Sequence, residues 1–176
     1  MNLKNLFDMQ KVLIDRIGYQ EPDKFEKTVL ALLVEVGECA NEWRGFKYWS
    51  KDQLPRTKGA WKYSTGIENG MFIDIYENPL LEEYVDGLHF VLQLGIEINC
   101  TPCTPSTIQV SNITTLFNFL YSQISQFSLY KAPRNYSYML ETYLGLGNEL
   151  GFTWEQIERA YMDKNEINHL RQEQGY

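Results

Sequence analysis

Two short acidic pairs, each set inside an otherwise apolar helical run, constrain this chain more than any other feature. The first lies in ALLVEVGECANEW, residues 31–43, where Glu35, Glu38 and Glu42 interrupt core-type side chains. At about 100° per residue, the spacing i, i+3, i+7 puts the three carboxylates in a sector of roughly 60°. Leu32, Val36, Cys39 and Trp43 form an apolar stripe beside that sector, and Leu33 and Ala40 lie opposite it. The second pair, Glu83 and Asp86, sits in LLEEYVDGLHFVLQLGIEIN, surrounded by Leu88, Val91, Leu92, Gly95 and Ile96. A helix that is apolar over most of its circumference must be buried on most sides. Two such helices packed antiparallel bring Glu35, Glu38, Glu83 and Asp86 to one place.

Like charges at that spacing repel, and more strongly when desolvated. Left unneutralised, the site would be costly to bury. A cationic partner, protonation or a divalent metal would relieve it. Neither helix carries a Lys or Arg within a turn of the pairs except Arg44. Oxygen donors without His or Cys suit Mg²⁺ or Mn²⁺ rather than Zn²⁺. A single ExxE is ordinarily a solvated helix face. Its duplication on two apolar helices is what argues for a metal site.

The rest of the chain reads as helices joined by turns. Leu3, Leu6, Phe7, Met9, Leu13 and Ile17 share one stripe, which predicts a helix over 2–17. Gly18 and Pro22 break it, Asp23 is placed to cap a second helix over 24–44, and Gly45 fits its end. A third helix is expected from about 80 to 99, stopped by Pro102 and Pro105. Further helices are expected over 106–128, over 135–150 ending at Gly151, and over 154–171 capped by Thr153. Residues 50–79 have no helical period, although MFIDIY alternates like a short strand. A connection this long is often functional. Its Lys51, Arg56, Lys58 and Lys62, and its place between the acidic helices, suggest a flap at an anion-binding end, with a plain surface insertion as the alternative. The fold expected is a single all-α helical bundle over 1–176 with a long irregular insertion at about 50–79.

The net charge of −7 argues against a nucleic-acid-binding surface, so an anionic ligand would need local cations or metal. No secretory or membrane-spanning apolar run is visible, and the location expected is the cytoplasm. Cys100 and Cys103 have CxxC spacing, but no second CxxC or nearby His pair completes a zinc site, so they read as two loop thiols. In the last helix, Lys164, Asn168 and Arg171 are spaced i, i+4, i+7, which lines up two cations and an amide in an acidic protein. They suit phosphate oxygens, or else complement the helix dipole.

The pairs Glu35-Val-Gly-Glu38 and Glu83-Tyr-Val-Asp86 resemble the all-α nucleoside triphosphate pyrophosphohydrolases, a superfamily that holds the MazG-like enzymes and the dimeric dUTPases. VEVGECANEWRGFKYWS (34–50), EEYVDGLHFVLQLGIE (82–97), YMDKNEINHLRQEQGY (161–176) and the opening MQKVLIDRI (9–17) are similar to the dimeric dUTPase branch, in order along nearly the whole chain. The resemblance implies a homodimeric, Mg²⁺-dependent enzyme that converts dUTP to dUMP and pyrophosphate and also accepts dUDP. It implies that Glu35, Glu38, Glu83 and Asp86 hold metal ions on the phosphate chain, and that Glu35 or Glu38 positions the attacking water. By matched position, Gln10 reads the uracil edge, Lys47 meets phosphate and Trp49 walls the base pocket. His89 supports a ligand or touches the nucleoside. Asn165 and Asn168 suit sugar or base, and Lys164 and Arg171 suit phosphate. Asp15 stands where some members have Asn, and the 50–79 segment is longer than the simplest family pattern.

Each residue also has a plainer reading. Trp43 and Trp49 suit core or dimer contacts, and His89 suits a packed, hydrogen-bonded histidine. Glu42 and Glu82 flank the motifs without needing to bind metal, and Tyr84, Phe90 and the tyrosines of 121–143 suit core or interface. Two other functions stay open: a pyrophosphohydrolase for another pyrimidine nucleotide such as a dCTP analogue, and a catalytically silent helical binding protein. A regulatory protein partner fits the branch, since some phage-type members have one. All four acidic positions are intact, which favours turnover.

Overall fold

Hydrophobic period and end-capping decide the element boundaries in the computed structural model, which describes residues 3–58, 62–64, 72–74, 78–101, 107–108, 110 and 112–175. The helices are α1 (Leu3–Ile17), α2 (Lys24–Trp43), α3 (Pro79–Glu97), α4 (Ile113–Tyr130), α5 (Pro133–Glu149) and α6 (Trp154–Glu173). The all-α expectation holds. A short antiparallel ladder pairs β1 (Lys62–Ser64) with β2 (Phe72–Asp74); β2 lies where the alternation of MFIDIY suggested a strand, and β1 was not expected. α4 starts later than expected, because the Asn112 side chain caps it by accepting from the Thr115 N–H.

Local chemistry sets the other ends. α3 opens with Pro79, and Asn78 accepts from the Leu81 N–H. Thr153 and Gln156 form a reciprocal capping box at α6. Asp23 stands at the start of α2 but does not cap it. Its carboxylate instead accepts from the Tyr19 hydroxyl at 2.7 Å and pairs with Lys27 at 2.8 Å. Arg44, rather than Gly45, takes the left-handed conformation that ends α2, at φ 65°. The Arg44 guanidinium is tied to the Asp52 carbonyl and carboxylate, both at 2.9 Å, which holds that turn. Gly45 is needed for space: a Cβ there would lie 2.4 Å from the Trp43 ring.

α3 is the central rod, in contact with α1, α2, α5 and α6. Its Leu80, Tyr84, Val85, Leu88, Val91, Leu92 and Leu94 are buried. α2 runs antiparallel to it. At one end Gln93 Nε2 donates to Thr28 Oγ1 at 2.8 Å; at the other, the main chain of Arg56 bridges the two helices. The Arg56 N–H donates to the Glu42 carbonyl at 3.0 Å, and its carbonyl accepts from the Leu80 N–H at 3.1 Å. α5 meets α3 through a reciprocal lock. The Tyr143 hydroxyl donates to the Tyr84 carbonyl at 2.6 Å, and the Tyr84 hydroxyl donates to the Tyr143 carbonyl at 3.2 Å. Each phenol lies on a glycine of the opposite helix: a Cβ on Gly87 would sit 2.3 Å from the Tyr143 oxygen, and one on Gly147 would sit 2.5 Å from that of Tyr84. Trp43 packs on Phe117 with ring centres 5.6 Å apart, as a core contact.

Candidate active site

The antiparallel register sets Glu35 and Glu38 of α2 level with Glu83 and Asp86 of α3. One carboxylate oxygen from each of Glu35, Glu38 and Glu83 lies within 4.8 Å of the others. Burial, then the charges of Asp86 and Glu38, push the Glu35 carboxyl up to about 7. Burial, then Glu82, Asp86, Glu38 and Glu35, push Glu83 up to about 8. Burial also raises Asp86, against the pull of Lys164 and Arg171. The four acids therefore feel one another's charge, but the close oxygen cluster comprises Glu35, Glu38 and Glu83 and does not include Asp86, which Lys164 holds.

The cation beside these acids comes from a helix that inspection of α2 and α3 alone could not supply. Lys164 of α6, only 7% exposed, places Nζ 2.6 Å from Asp86 Oδ2 and 3.2 Å from Glu82 Oε1. Arg44, the one nearby cation found by reading the acidic helices, is turned onto Asp52. Asp86 Oδ1 is buried with no hydrogen-bond partner among the described residues. The donor set fits a hard divalent cation: carboxylate oxygens only, close together, mutually destabilised, with one buried oxygen unclaimed.

Beside the acids, α1, α3 and α6 bring three polar side chains together. Gln10 is 2% exposed and His89 4%. The Tyr161 hydroxyl donates to Gln10 Oε1 at 2.7 Å, and His89 Nδ1 lies 2.8 Å from the same oxygen. The His89 and Tyr161 rings stack, with centres 4.0 Å apart and planes at 19°. Burial, helped by the Lys164 charge, pushes the His89 imidazole down to about 3, so it is neutral. His89 Nε2 and Asn165 Nδ2 are buried without partners among the described residues. One turn further along, Ile14, Ile17, Lys24, Thr28 and Gln93 line a cleft of about 200 Å³.

The remaining candidates are spread around this core. Asn168 and Arg171 continue the Lys164 face of α6 and are half-buried, and the Arg171 charge reaches Asp86. Lys47 donates to Asn41 Oδ1, which folds the turn after α2 back onto that helix. Trp49 is 65% exposed, with Phe46 and Tyr48 edge-on to its ring. Asp15 is exposed. Of the four cations of the 50–79 segment, Arg56 pairs with Glu42 at 3.1 Å, and the Lys62 side chain lies outside what is described. Cys39 and Cys100 are free thiols, and Cys103 lies outside the described residues. Tyr161 and the Glu82–Lys164 pair were missed by sequence reasoning. Tyr161 could have been found, since it precedes Lys164 and Asn165 by three and four residues and so shares their helix face.

A sequence model described as dUTPase matches residues 2–64 and 74–176. The chain belongs to the dUTPase family. This is the all-α branch, and the chain is accordingly a dUTP diphosphatase that hydrolyses dUTP. Enzymes of the family generally use divalent metal, and the acidic cluster is where this dUTPase would hold it. The family match passes over 65–73, so the departure expected across 50–79 narrows to that stretch between β1 and the end of β2. No curated protein matched the chain. No helix among the described residues is long and apolar enough to cross a membrane.

Proposed function

We propose that this dUTPase works as a Mg²⁺-dependent homodimer in the cytoplasm, releasing dUMP and pyrophosphate from dUTP and also accepting dUDP, with Mn²⁺ as an alternative ion. The observation that carries the site assignment is the meeting of Glu35, Glu38 and Glu83 oxygens within 4.8 Å, with the Asp86 charge acting on Glu35 and Glu83. Bound there, Mg²⁺ supplies neutralising charge at the phosphate oxygens. Glu35 or Glu38 orients a water for in-line attack on the α-phosphorus and takes its proton, while the bond to the bridging oxygen breaks and pyrophosphate leaves. Lys47, Lys164 and Arg171 bring positive charge to the phosphate chain. Gln10 and His89 read the base, Trp49 walls it, and Asn165 and Asn168 hold sugar or base edge. Leu30 and Val34 on α2 and Phe119 on α4 are exposed apolar side chains on neighbouring helices, which a second copy would cover. Free thiols at Cys39 and Cys100 suit a reducing compartment.

The test is Glu38→Gln and Asp86→Asn, assayed for pyrophosphate release over a panel of deoxynucleotides. Both variants should lose Mg²⁺-dependent hydrolysis while the far-UV circular dichroism stays helical. Normal turnover by both would overturn the site. A preference for dCTP over dUTP in the parent protein would overturn the base reading.

A further inference from the structure

The base-reading pair, Gln10 and His89, is held by a third residue whose hydroxyl has a directional role. Gln10 Oε1 accepts from the Tyr161 hydroxyl at 2.7 Å and faces His89 Nδ1 at 2.8 Å. A carboxamide oxygen only accepts, so two donors must point at it. One is the phenol. The other must be an N–H on His89 Nδ1. That leaves His89 Nε2 as a bare lone pair, buried and without a partner among the described residues. It also turns the Gln10 NH₂ away from both donors. The alternative acceptor for the phenol, the Leu6 carbonyl, is 3.4 Å away and already accepts within α1, so the shorter bond to Gln10 dominates.

A reader built this way offers a donor from Gln10 and an acceptor from His89. Uracil presents its ring N3–H between two carbonyl oxygens, which complements that pattern. Cytosine presents a bare N3 beside an amino group, which sets acceptor against acceptor and donor against donor. A mismatch of that kind leaves buried polar groups unpaired and is a strong source of discrimination. Reversing the pattern requires the Gln10 amide to flip and His89 to move its proton to Nε2. The phenol opposes the flip. We propose that Tyr161 is a positioning residue that fixes the hydrogen-bond polarity of Gln10 and His89, so that the pocket accepts uracil and rejects cytosine. The proposal rests on the reading above that Gln10 and His89 face the base.

Tyr161→Phe keeps the ring that stacks on His89 and removes only the hydroxyl. Three readouts decide the matter: kcat/KM for dUTP against dCTP, calorimetric binding of dUMP against dCMP in chelator, and the His89 tautomer from ¹⁵N shifts of the metal-free protein. Wild type should show Nδ1–H. Tyr161→Phe should show mixed tautomers and a dUTP-to-dCTP ratio lowered about tenfold, with the dUMP preference falling in step. An Nε2–H tautomer in wild type overturns the proposal, and that measurement stands even if the variant fails to fold. So does a Tyr161→Phe enzyme that slows equally on both nucleotides. Gln10→Leu separates the two levels. If it also leaves the ratio unchanged, the base reading itself is wrong. If it collapses the ratio while Tyr161→Phe does not, only the role of Tyr161 is wrong.

Discussion

Replacing Glu83 with Gln should stabilise the metal-free protein while abolishing its activity, and the stabilisation should depend on pH in a direction that the site dictates. Glu83 has an ordinary value of 4.5 and is pushed up to about 8 by burial and by Glu82, Asp86, Glu38 and Glu35. A folded-state value above the unfolded one means that the native protein binds the proton more tightly. Stability therefore falls as pH rises from about 4.5 through about 8, and is flat beyond. At about 1.4 kcal/mol per pKa unit, that gap sets a ceiling of about 5 kcal/mol. Glu83 is only half-buried, so solvent screens the repulsion, and roughly 2 kcal/mol is the working figure. For a chain of this size that corresponds to about 4–8 °C in melting temperature. Glutamine mimics the protonated acid, so near pH 9 in chelator the variant should melt higher by that amount, and near pH 5 the difference should shrink towards zero. Thermal melts at fixed protein concentration measure both. An equal difference at the two pH values, or a lower melting temperature near pH 9, would refute the argument that repulsion governs this cluster.

Other expectations concern the same helices. Lys164→Met removes the cation between Asp86 and Glu82, and urea unfolding in chelator should show a loss of about 3 kcal/mol. Gly87→Ala drives a Cβ against the Tyr143 hydroxyl, and denaturant curves should show a loss of about 2 kcal/mol. Adding Tyr143→Phe should recover part of that loss, because it removes the obstructing oxygen. Millimolar Mg²⁺ should raise the melting temperature of the parent protein and do less for Asp86→Asn, since binding to the native state alone shifts unfolding by mass action.

The helices were legible because their stripes repeat over many turns, and the two acidic pairs were legible because carboxylates stand out against apolar neighbours. Ends were harder. Asp23 has a good capping side chain, but Tyr19 and Lys27 compete for it, and those partners lie outside any capping motif. Gly45 looked like the left-handed stop, yet Arg44 takes that conformation because Asp52, across a turn, binds its guanidinium. The pairing of Lys164 with the acidic helices was not legible, for a tertiary reason. Lys164 is far from Asp86 in sequence and reaches it only because α6 packs on α3. Gln10 was singled out only through the family resemblance, because its two donors come from α3 and α6 and nothing local announced them.

The main-chain bridge at Arg56 has a consequence for how this enzyme tolerates change. One residue fastens the last turn of α2 to the first turn of α3, so the separation of the two acidic helices does not depend on the chain that follows it. Lengthening a loop whose ends are already fastened costs only a logarithmic entropy term. The stretch between Ser64 and Phe72, where the family match is interrupted, is therefore the place to test an insertion. A reporter or affinity tag grafted there should leave catalysis intact.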